Sequence, residues 1–375
     1  MSESKTEQPW WRGAVVYQIF PDSFADSNGD GRGDAQGLLQ RLEYLQWLGV
    51  DALWLSPMYP SPMADGGYDI SDHKGVHPHF GTLEDMDRLI AEAHRLGLRV
   101  LLDYVPNHTS DEHPWFVESR SSRNNAKRDW YIWRDSTNNW RAGINCKEAW
   151  TWDEHTRQHY LHLFLPQQPD LDWRNPAVVD AMHDVLRFWI ERGIDGFRMD
   201  AVHCIGKDMS FADDPRCDEG DPISLFNHQP STHDVLRGIR RFVDALERDT
   251  LLVGEVNIRD TRAVVEYYGD DDEVHMSFNF LPIILPWEAK VFRDCICEIE
   301  SIYTPAKAWP TWVLSNHDRV RHRTRYGGSM ARARAAAVML LTLRGTPFMF
   351  QGEELGLEEA KIHPDDWEDP SGRDG

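Results

Sequence analysis

The chain has 375 residues, 41% of them hydrophobic, which is enough to build a sizeable core. Its formal charge of −22 argues against nucleic acid or an anionic membrane surface as a partner. The longest apolar run, residues 335–341, is too short to span a membrane. No apolar stretch follows the first residues, so we expect no secretory signal. The five cysteines lack zinc-site spacing, so we expect a protein of the reducing cytoplasm.

Short β-like runs alternate along the chain with amphipathic helical runs. In segment 37–48, for example, apolar residues recur at the helical spacing, including Leu38, Leu42 and Leu45. The predicted strands are 14–20, 51–55, 99–103, 194–200, 251–255, 274–278, 312–315 and 347–350. The predicted helices are 37–48, 83–96, 176–192, 235–248, 261–268, 287–303 and 331–343.

Alternation of strands and helices is typical of an α/β fold with a parallel sheet covered by helices. Eight strands favour closure into a (β/α)8 TIM barrel. The long connection 107–175 predicts a small loop-rich domain inserted after the third strand, between barrel parts 1–106 and 176–375. No helix is predicted after the eighth strand, so we expect the eighth helix to be missing.

The fourth predicted strand lies within GIDGFRMDAVH, residues 193–203. Alternate strand residues share a face, which places Arg198 beside Asp200. The arginine is expected to lower the pKa of Asp200 and keep it ionised, as a carboxylate nucleophile requires. A buried ion pair that serves packing alone is the alternative.

Polar side chains also follow other strands at the point where each strand ends. Because the ends of barrel strands meet at one rim, we expect these side chains to converge on an active site. Glu255 follows the apolar run LLVG, which should raise its pKa and keep it protonated. Any single carboxylate could instead cap a helix. The expected rim residues are Asp103, Asn107, His108, Arg198, Asp200, His203, Glu255, Asn316, His317 and Asp318.

The segment DSNGDGRGD, residues 26–34, carries oxygen-bearing side chains at alternate positions, as calcium loops do. Gly37 stands where an EF-hand has its closing glutamate, so this loop is not an EF-hand. An Asx-rich turn without a metal is the alternative. The predicted ligands of a structural Ca²⁺ or Mg²⁺ ion are Asp26, Asn28, Asp30, the carbonyl of Arg32, and Asp34. No organic cofactor is expected.

Four ordered segments resemble the motifs of the α-amylase superfamily of glycoside hydrolases. They are DYVPNH at 103–108, GFRMDAVH at 196–203, GEVN at 254–257 and SNHD at 315–318. The sequence from VVYQIFPDSF to FQGEELG as a whole resembles the α-glucosidase and oligo-1,6-glucosidase branch of that superfamily. In that branch the loop matching 26–34 holds a structural ion, and a C-terminal β-domain, which we expect to be missing here, follows the barrel.

The resemblance implies catalytic roles for three carboxylates. Asp200 matches the nucleophile that forms a glycosyl-enzyme, and Glu255 matches the general acid/base. Asp318 matches the carboxylate that helps to distort the sugar and stabilise the transition state. The residues implied to bind substrate, or to support that binding by hydrogen bonds, are Tyr68, Asp69, Asp103, His108, Arg198 and His317.

The implied activity is that of a retaining, exo-acting α-glucosidase that releases glucose from short oligosaccharides or disaccharides. Ala201 stands where α-1,6-preferring relatives usually carry valine, which favours α-1,4 linkages. Asp172 departs from the asparagine usual in the oligo-1,6-glucosidase marker. The alternatives are an oligo-1,6-glucosidase, or a transglycosylase or isomerase acting on sucrose, maltose or trehalose. A catalytically dead relative, like the heavy chains of amino-acid transporters, is disfavoured because all three carboxylates are present.

Overall fold

A computed structural model describes residues 8–143, 147–216 and 224–363. The strands are β1 Val16–Ile19, β2 Ala52–Leu55, β3 Arg99–Tyr104, β4 Trp133–Arg134, β5 Trp150–Asp153, β6 Gln158–Leu161, β7 Gly196–Met199, β8 Leu251–Gly254, β9 Met276–Ser277, β10 Thr311–Val313 and β11 Thr346–Phe350. The α-helices are α1 Ala35–Leu39, α2 Leu42–Leu48, α3 Leu83–Arg95, α4 Pro114–Ser119, α5 Pro176–Glu191, α6 Pro230–Asp244, α7 Thr261–Glu266, α8 Leu281–Ile284, α9 Ala289–Tyr303, α10 His322–Arg325 and α11 Met330–Thr342.

Eight strands form one parallel sheet in the order β10-β11-β1-β2-β3-β7-β8-β9. The two outer strands of this order meet through side chains. Thr311 Oγ1 donates to the carbonyl of Ser277 at 2.8 Å and accepts the N–H of Asn279 at 3.1 Å. The sheet is therefore a nearly closed barrel, which confirms the predicted (β/α)8 fold.

Alternation along the strands divides the core into two layers. Leu251 and Val253 belong to the cluster inside the barrel, whereas Phe197 and Met199 pack in the layer between strands and helices. Arg198 lies between Phe197 and Met199 in β7, so its side chain points into the barrel. This register places the arginine side chain inside the barrel, near the carboxyl ends of the strands.

Several predicted elements differ from the observed ones at their ends. The predicted helix 37–48 is two helices, α1 and α2, with a break after Leu39. Asp34 begins α1 by accepting the N–H of Gly37, a typical N-cap contact. The predicted strand 274–278 pairs with its neighbour only at Met276 and Ser277.

The segment inserted between β3 and α5 contains a three-stranded antiparallel sheet in the order β4-β6-β5. The prediction of a loop-rich segment did not include these strands. Trp140 and Trp150 of the insertion share a hydrophobic cluster with Cys204 and Phe226, which belong to the loops that follow β7. The insertion is thereby held against the rim of the barrel.

No helix in the described ranges combines the length and the apolar composition needed to cross a bilayer. Cys204 and Cys295 are buried free thiols, and Cys297 is an exposed one. Cys146 and Cys217 lie outside the described residues.

Candidate active site

Arg198 is the charged centre of the site and is only 2% exposed. Its Nη1 donates to Asp103 Oδ1 at 2.8 Å and to Asp200 Oδ1 at 2.5 Å. Its Nη2 lies 2.7 Å from Glu255 Oε2. The predicted contact between Arg198 and Asp200 exists, but the guanidinium is shared by three carboxylates.

The pKa shifts of the two catalytic candidates run opposite to the predicted ones. Burial raises the pKa of Asp200 well above its usual range, and the charges of Glu255 and Asp103 add to this effect. Burial also acts to raise the pKa of Glu255, but the charge of Arg198 and the N–H of Ala201 outweigh it and lower that pKa. The predicted directions, a lowered pKa for Asp200 and a raised pKa for Glu255, are therefore wrong for this arrangement, because Arg198 contacts both carboxylates.

Asp200 and Glu255 also lie close enough for each to shift the pKa of the other. Two interacting carboxyl groups titrate as a pair rather than as separate residues. The opposite directions of the two pKa shifts favour one proton on the pair, on Asp200. A retaining glycosidase needs one protonated and one ionised carboxyl group, so the total proton count is the required one.

The turn after β7 brings a backbone donor to Glu255. Ala201 adopts left-handed torsion angles, with φ 42° and ψ 39°, and donates its N–H to Glu255 Oε2 at 3.0 Å. Non-glycine residues rarely adopt this conformation, and such backbone strain often occurs at functional sites. Through this turn, the backbone that follows Asp200, the candidate nucleophile, is hydrogen-bonded to Glu255, the candidate acid/base.

A cavity of about 310 Å³ lies over these carboxylates at the carboxyl ends of the barrel strands. The predicted residues that line it are Tyr68, His108, Arg198, Asp200, Ala201, His203, Glu255, His317 and Asp318. The lining also includes residues for which the sequence predicts no part in the site: Asp65, Gly143, Leu163, Phe164, Phe226, Asn227, Asn257, Phe280 and Arg319. These residues come from loops and from the insertion, where periodicity carries no signal.

Tyr68 and His317 form one aromatic wall of the cavity. Their rings stack with centroids 5.5 Å apart, and the Tyr68 hydroxyl lies 2.9 Å from His317 Nε2. The other ring nitrogen of His317 lies 2.7 Å from Nε2 of Gln18, a polar residue inside β1. A glutamine in a buried barrel strand was the signal that could have revealed this support. Asp318 stands at the same wall with its side chain 46% exposed.

Two predicted substrate-binding residues lie behind the cavity wall. Asp103 is fully buried and accepts hydrogen bonds from Arg198 and from Trp54 Nε1, as expected for a supporting residue. Asp69 is also fully buried, and its carboxylate accepts hydrogen bonds from Ser61 Oγ and from the N–H groups of residues 64 and 65. The structure thus places Asp69 where it orders the loop 61–65, and not at the cavity surface where a direct sugar contact was predicted.

The loop 26–34 lies apart from this cavity. Asp26 accepts the N–H groups of Gly31, Gly29 and Asn28, and these bonds lower its pKa. Asp34 accepts hydrogen bonds from Ser27 and from the N–H of Gly37 at the start of α1. These contacts match nested Asx turns.

The remaining donors of the loop are carboxylate, amide and carbonyl oxygens, which suit a hard cation such as Ca²⁺. Across residues 8–143, 147–216 and 224–363, no three His, Cys, Asp or Glu side chains are grouped so as to hold a metal ion. The metal therefore stays a prediction, with Asp26, Asn28, Asp30, the Arg32 carbonyl and Asp34 as its ligands.

Comparison with known proteins settles the family. The sequence profile of the alpha-amylase catalytic domain matches residues 18–373. The chain belongs to the α-amylase family. It is a glycoside hydrolase of that family, and the resemblance seen in the four motifs is confirmed.

Relatives in this family carry several activities in their names. A probable alpha-glucosidase of Rhizobium meliloti is 44% identical over 98% of this chain and 71% of its own length. An oligo-1,6-glucosidase of Heyndrickxia coagulans is 39% identical over 96% of this chain and 69% of its own.

Solved structures of family members superpose closely on the barrel. The alpha-glucosyl transfer enzyme XgtA has a TM-score of 0.91 and 42% identity, covering 98% of this chain and 73% of its own. A mutant of MutB, whose structure contains the substrate sucrose, has a TM-score of 0.90 and 37% identity, covering 95% of this chain and 67% of its own.

Proposed function

We propose that the protein is a retaining, exo-acting α-glucosidase that releases glucose from short α-glucosides. The observation that carries this proposal is the contact of Asp200 and Glu255 with one guanidinium. Retaining enzymes keep their two carboxyl groups about 5–5.5 Å apart, whereas inverting enzymes separate them further to admit a water molecule. The shared guanidinium of Arg198 keeps the two carboxyl groups close together, which supports the retaining mechanism.

In the proposed reaction, Asp200 attacks the anomeric carbon while Glu255 protonates the leaving oxygen. A sugar that enters between the carboxyl groups weakens their effect on each other's pKa. We infer that the shared proton then moves to Glu255, which leaves Asp200 ionised beside Arg198. A water molecule next cleaves the glycosyl ester, and Glu255 takes its proton. Asp318 supplies negative charge to the oxocarbenium-like transition state.

The size of the cavity supports a short substrate. A volume of about 310 Å³ is at the lower end of the range for small-molecule sites, so a small sugar fits better than a polymer. Tyr68 and His317 offer a stacked aromatic surface to one sugar ring. Ala201 places only a methyl group at the cavity beside the nucleophile, which supports the preference for α-1,4 linkages.

The second candidate is an oligo-1,6-glucosidase, or an enzyme that transfers or isomerises glucosyl units on sucrose, maltose or trehalose. The similarity to XgtA, named a transfer enzyme, and to MutB favours keeping this candidate. All these reactions share the glycosyl-enzyme on Asp200. The two glucosidases both use water to release the sugar and differ in the linkage they cleave, whereas in transfer or isomerisation a sugar attacks the glycosyl-enzyme.

Product analysis on maltose, isomaltose, sucrose and trehalose tests the proposal. We expect free glucose from maltose at a rate at least several times that from isomaltose. Faster release from isomaltose would support the oligo-1,6-glucosidase. Disaccharide or longer products without free glucose would refute hydrolysis and support transfer or isomerisation.

We also propose a structural Ca²⁺ or Mg²⁺ at the loop 26–34 and a cytoplasmic location. The hard oxygen donors of that loop support the ion. The free thiols Cys204, Cys295 and Cys297 and the acidic composition support the location. A charge of −22 further supports a sugar, and not nucleic acid, as the partner.

A further inference from the structure

Lys207 lies seven residues after Asp200, on the loop that follows β7, and only 5% of its surface is exposed. Its ammonium group is 2.8 Å from Asp170 Oδ2 and donates to Asn107 Oδ1 at 2.8 Å. A buried ammonium group is costly to desolvate unless it is paired and hydrogen-bonded. Lys207 therefore joins three separate segments: the loop after β7, the end of β3 and the end of the insertion.

The partners of Lys207 lead directly to His108, which lines the cavity. Because Asn107 Oδ1 accepts from Lys207, its Nδ2 faces Asp170 Oδ1 at 3.2 Å and His108 Nδ1 at 3.2 Å. Gln168 Nε2 meets the other ring nitrogen of His108 at 3.0 Å. The orientation of the Asn107 amide, and with it one side of the His108 ring, depends on the charge of Lys207.

Asp170 completes this arrangement from the insertion. It is fully buried, its Oδ1 accepts the N–H of Leu163, and its Oδ2 has Lys207 as its charged partner. Residues 108 and 170 also form an antiparallel backbone bridge. The ion pair thus fixes the insertion to the same backbone that carries His108.

We propose that Lys207 is a positioning residue for hydrolysis, which holds His108 in place through Asn107 and Asp170. Lys207 does not line the cavity in the described structure, so it acts through other residues and not on the sugar. The inference rests on the proposed function, because the position of His108 matters only if a sugar binds in the cavity.

The test replaces the pair without leaving a lone buried charge. The variant Lys207→Met/Asp170→Asn is neutral at both positions and keeps an acceptor for the N–H of Leu163. We measure kcat/KM on an aryl α-glucoside in the native background and in the His108→Ala background. If Lys207 acts through His108, the two effects are not additive.

We expect kcat/KM to fall about 10- to 100-fold in the native background, the size of effect that a small misplacement causes. In the His108→Ala background the same change should cost less than about 3-fold. An equal loss in both backgrounds would show a general structural role and overturn the proposal. Full activity in the native background would overturn it too.

The matched control is Arg120→Met/Asp153→Asn, another ion pair of the insertion at 2.8 Å with a buried carboxylate. Neither residue lines the cavity in the described ranges, so we expect activity within about 3-fold of the unmodified protein. If the Lys207 variant does not fold, Asn107→Leu decides instead, because it cuts the link to His108 and keeps the ion pair. Full activity of Asn107→Leu would refute the inference.

The two proposals fail in different ways. An unmodified protein that hydrolyses no α-glucoside would refute the proposed function. An active unmodified protein whose Lys207 effect is independent of His108 would refute only the positioning role.

Discussion

Two groups of acidic side chains in this chain stand in opposite surroundings. At the barrel rim, Asp200 is buried beside Glu255 and Asp103, and all three share the single guanidinium of Arg198. In the loop 26–34, Asp26 is exposed and surrounded by backbone N–H groups. The pKa of Asp200 is raised by burial and by its neighbours, whereas that of Asp26 is lowered by its hydrogen bonds.

The difference shows that aspartate content alone says little about the role of an acidic segment. A carboxylate that receives several N–H donors is stabilised as an anion and orders its own loop. A carboxyl group crowded by like charges holds a proton that can be transferred. Only the second arrangement supports acid/base and nucleophilic chemistry.

The largest expected effect is a difference in catalytic activity between variants of the two acidic groups. Replacing Asp200 with Asn removes the nucleophile, so kcat/KM on an aryl α-glucoside should fall at least about 10⁴-fold. The matched change Asp26→Asn should leave kcat/KM within about 3-fold, because the loop lies outside the cavity. Comparable activity of both variants would remove the distinction between the two groups.

A second change sharpens the role of Glu255 within the rim group. The variant Glu255→Gln should lose about 10²- to 10⁴-fold in kcat on maltose, whose leaving oxygen needs a proton. The loss in the glycosylation step should be much smaller on a nitrophenyl glucoside, whose leaving group departs unprotonated. An equal loss of glycosylation rate on both substrates, measured by pre-steady-state release, would contradict the acid role.

The two groups should also show opposite pH dependence of stability. A raised pKa gives Asp200 a stabilising effect at low pH, which is lost as the pH rises through its folded-state pKa. A lowered pKa gives Asp26 a stabilising effect at neutral pH, which is lost as the pH falls through its folded-state pKa. Melting temperatures from pH 4 to 9 therefore provide the test.

In that measurement, Asp200→Asn should raise Tm relative to the unmodified protein, with a difference that grows towards high pH. Asp26→Asn should lower Tm at neutral pH, with a difference that shrinks in acid. Parallel Tm curves for the two variants would show that their surroundings do not differ as described.

The smallest expected effect concerns the metal. If the loop 26–34 binds Ca²⁺, millimolar Ca²⁺ should raise Tm by about 2–5 °C over the value in EDTA. The variant Asp30→Asn should lose this increase. Equal Tm values with Ca²⁺ and EDTA would leave the loop as a set of Asx turns that holds no ion.

Much of the fold could be predicted from the sequence, because apolar periodicity and strand-end polar residues are local signals. The protonation of Asp200 and Glu255 could not, since the sharing of Arg198 depends on how three strands align across the sheet. The placement of Asp69 behind the wall depends on the path of one loop. Lys207 belongs to no recognisable sequence motif. Its positioning role is inferred only from its contacts with segments that are distant in sequence.

The central claim is that Asp200 and Glu255 stand close enough for hydrolysis through a glycosyl-enzyme. Proton NMR of the first glucose released from an α-glucoside, recorded before mutarotation, tests this most directly. A double displacement retains configuration, so the account predicts the α-anomer. Initial release of the β-anomer would contradict it.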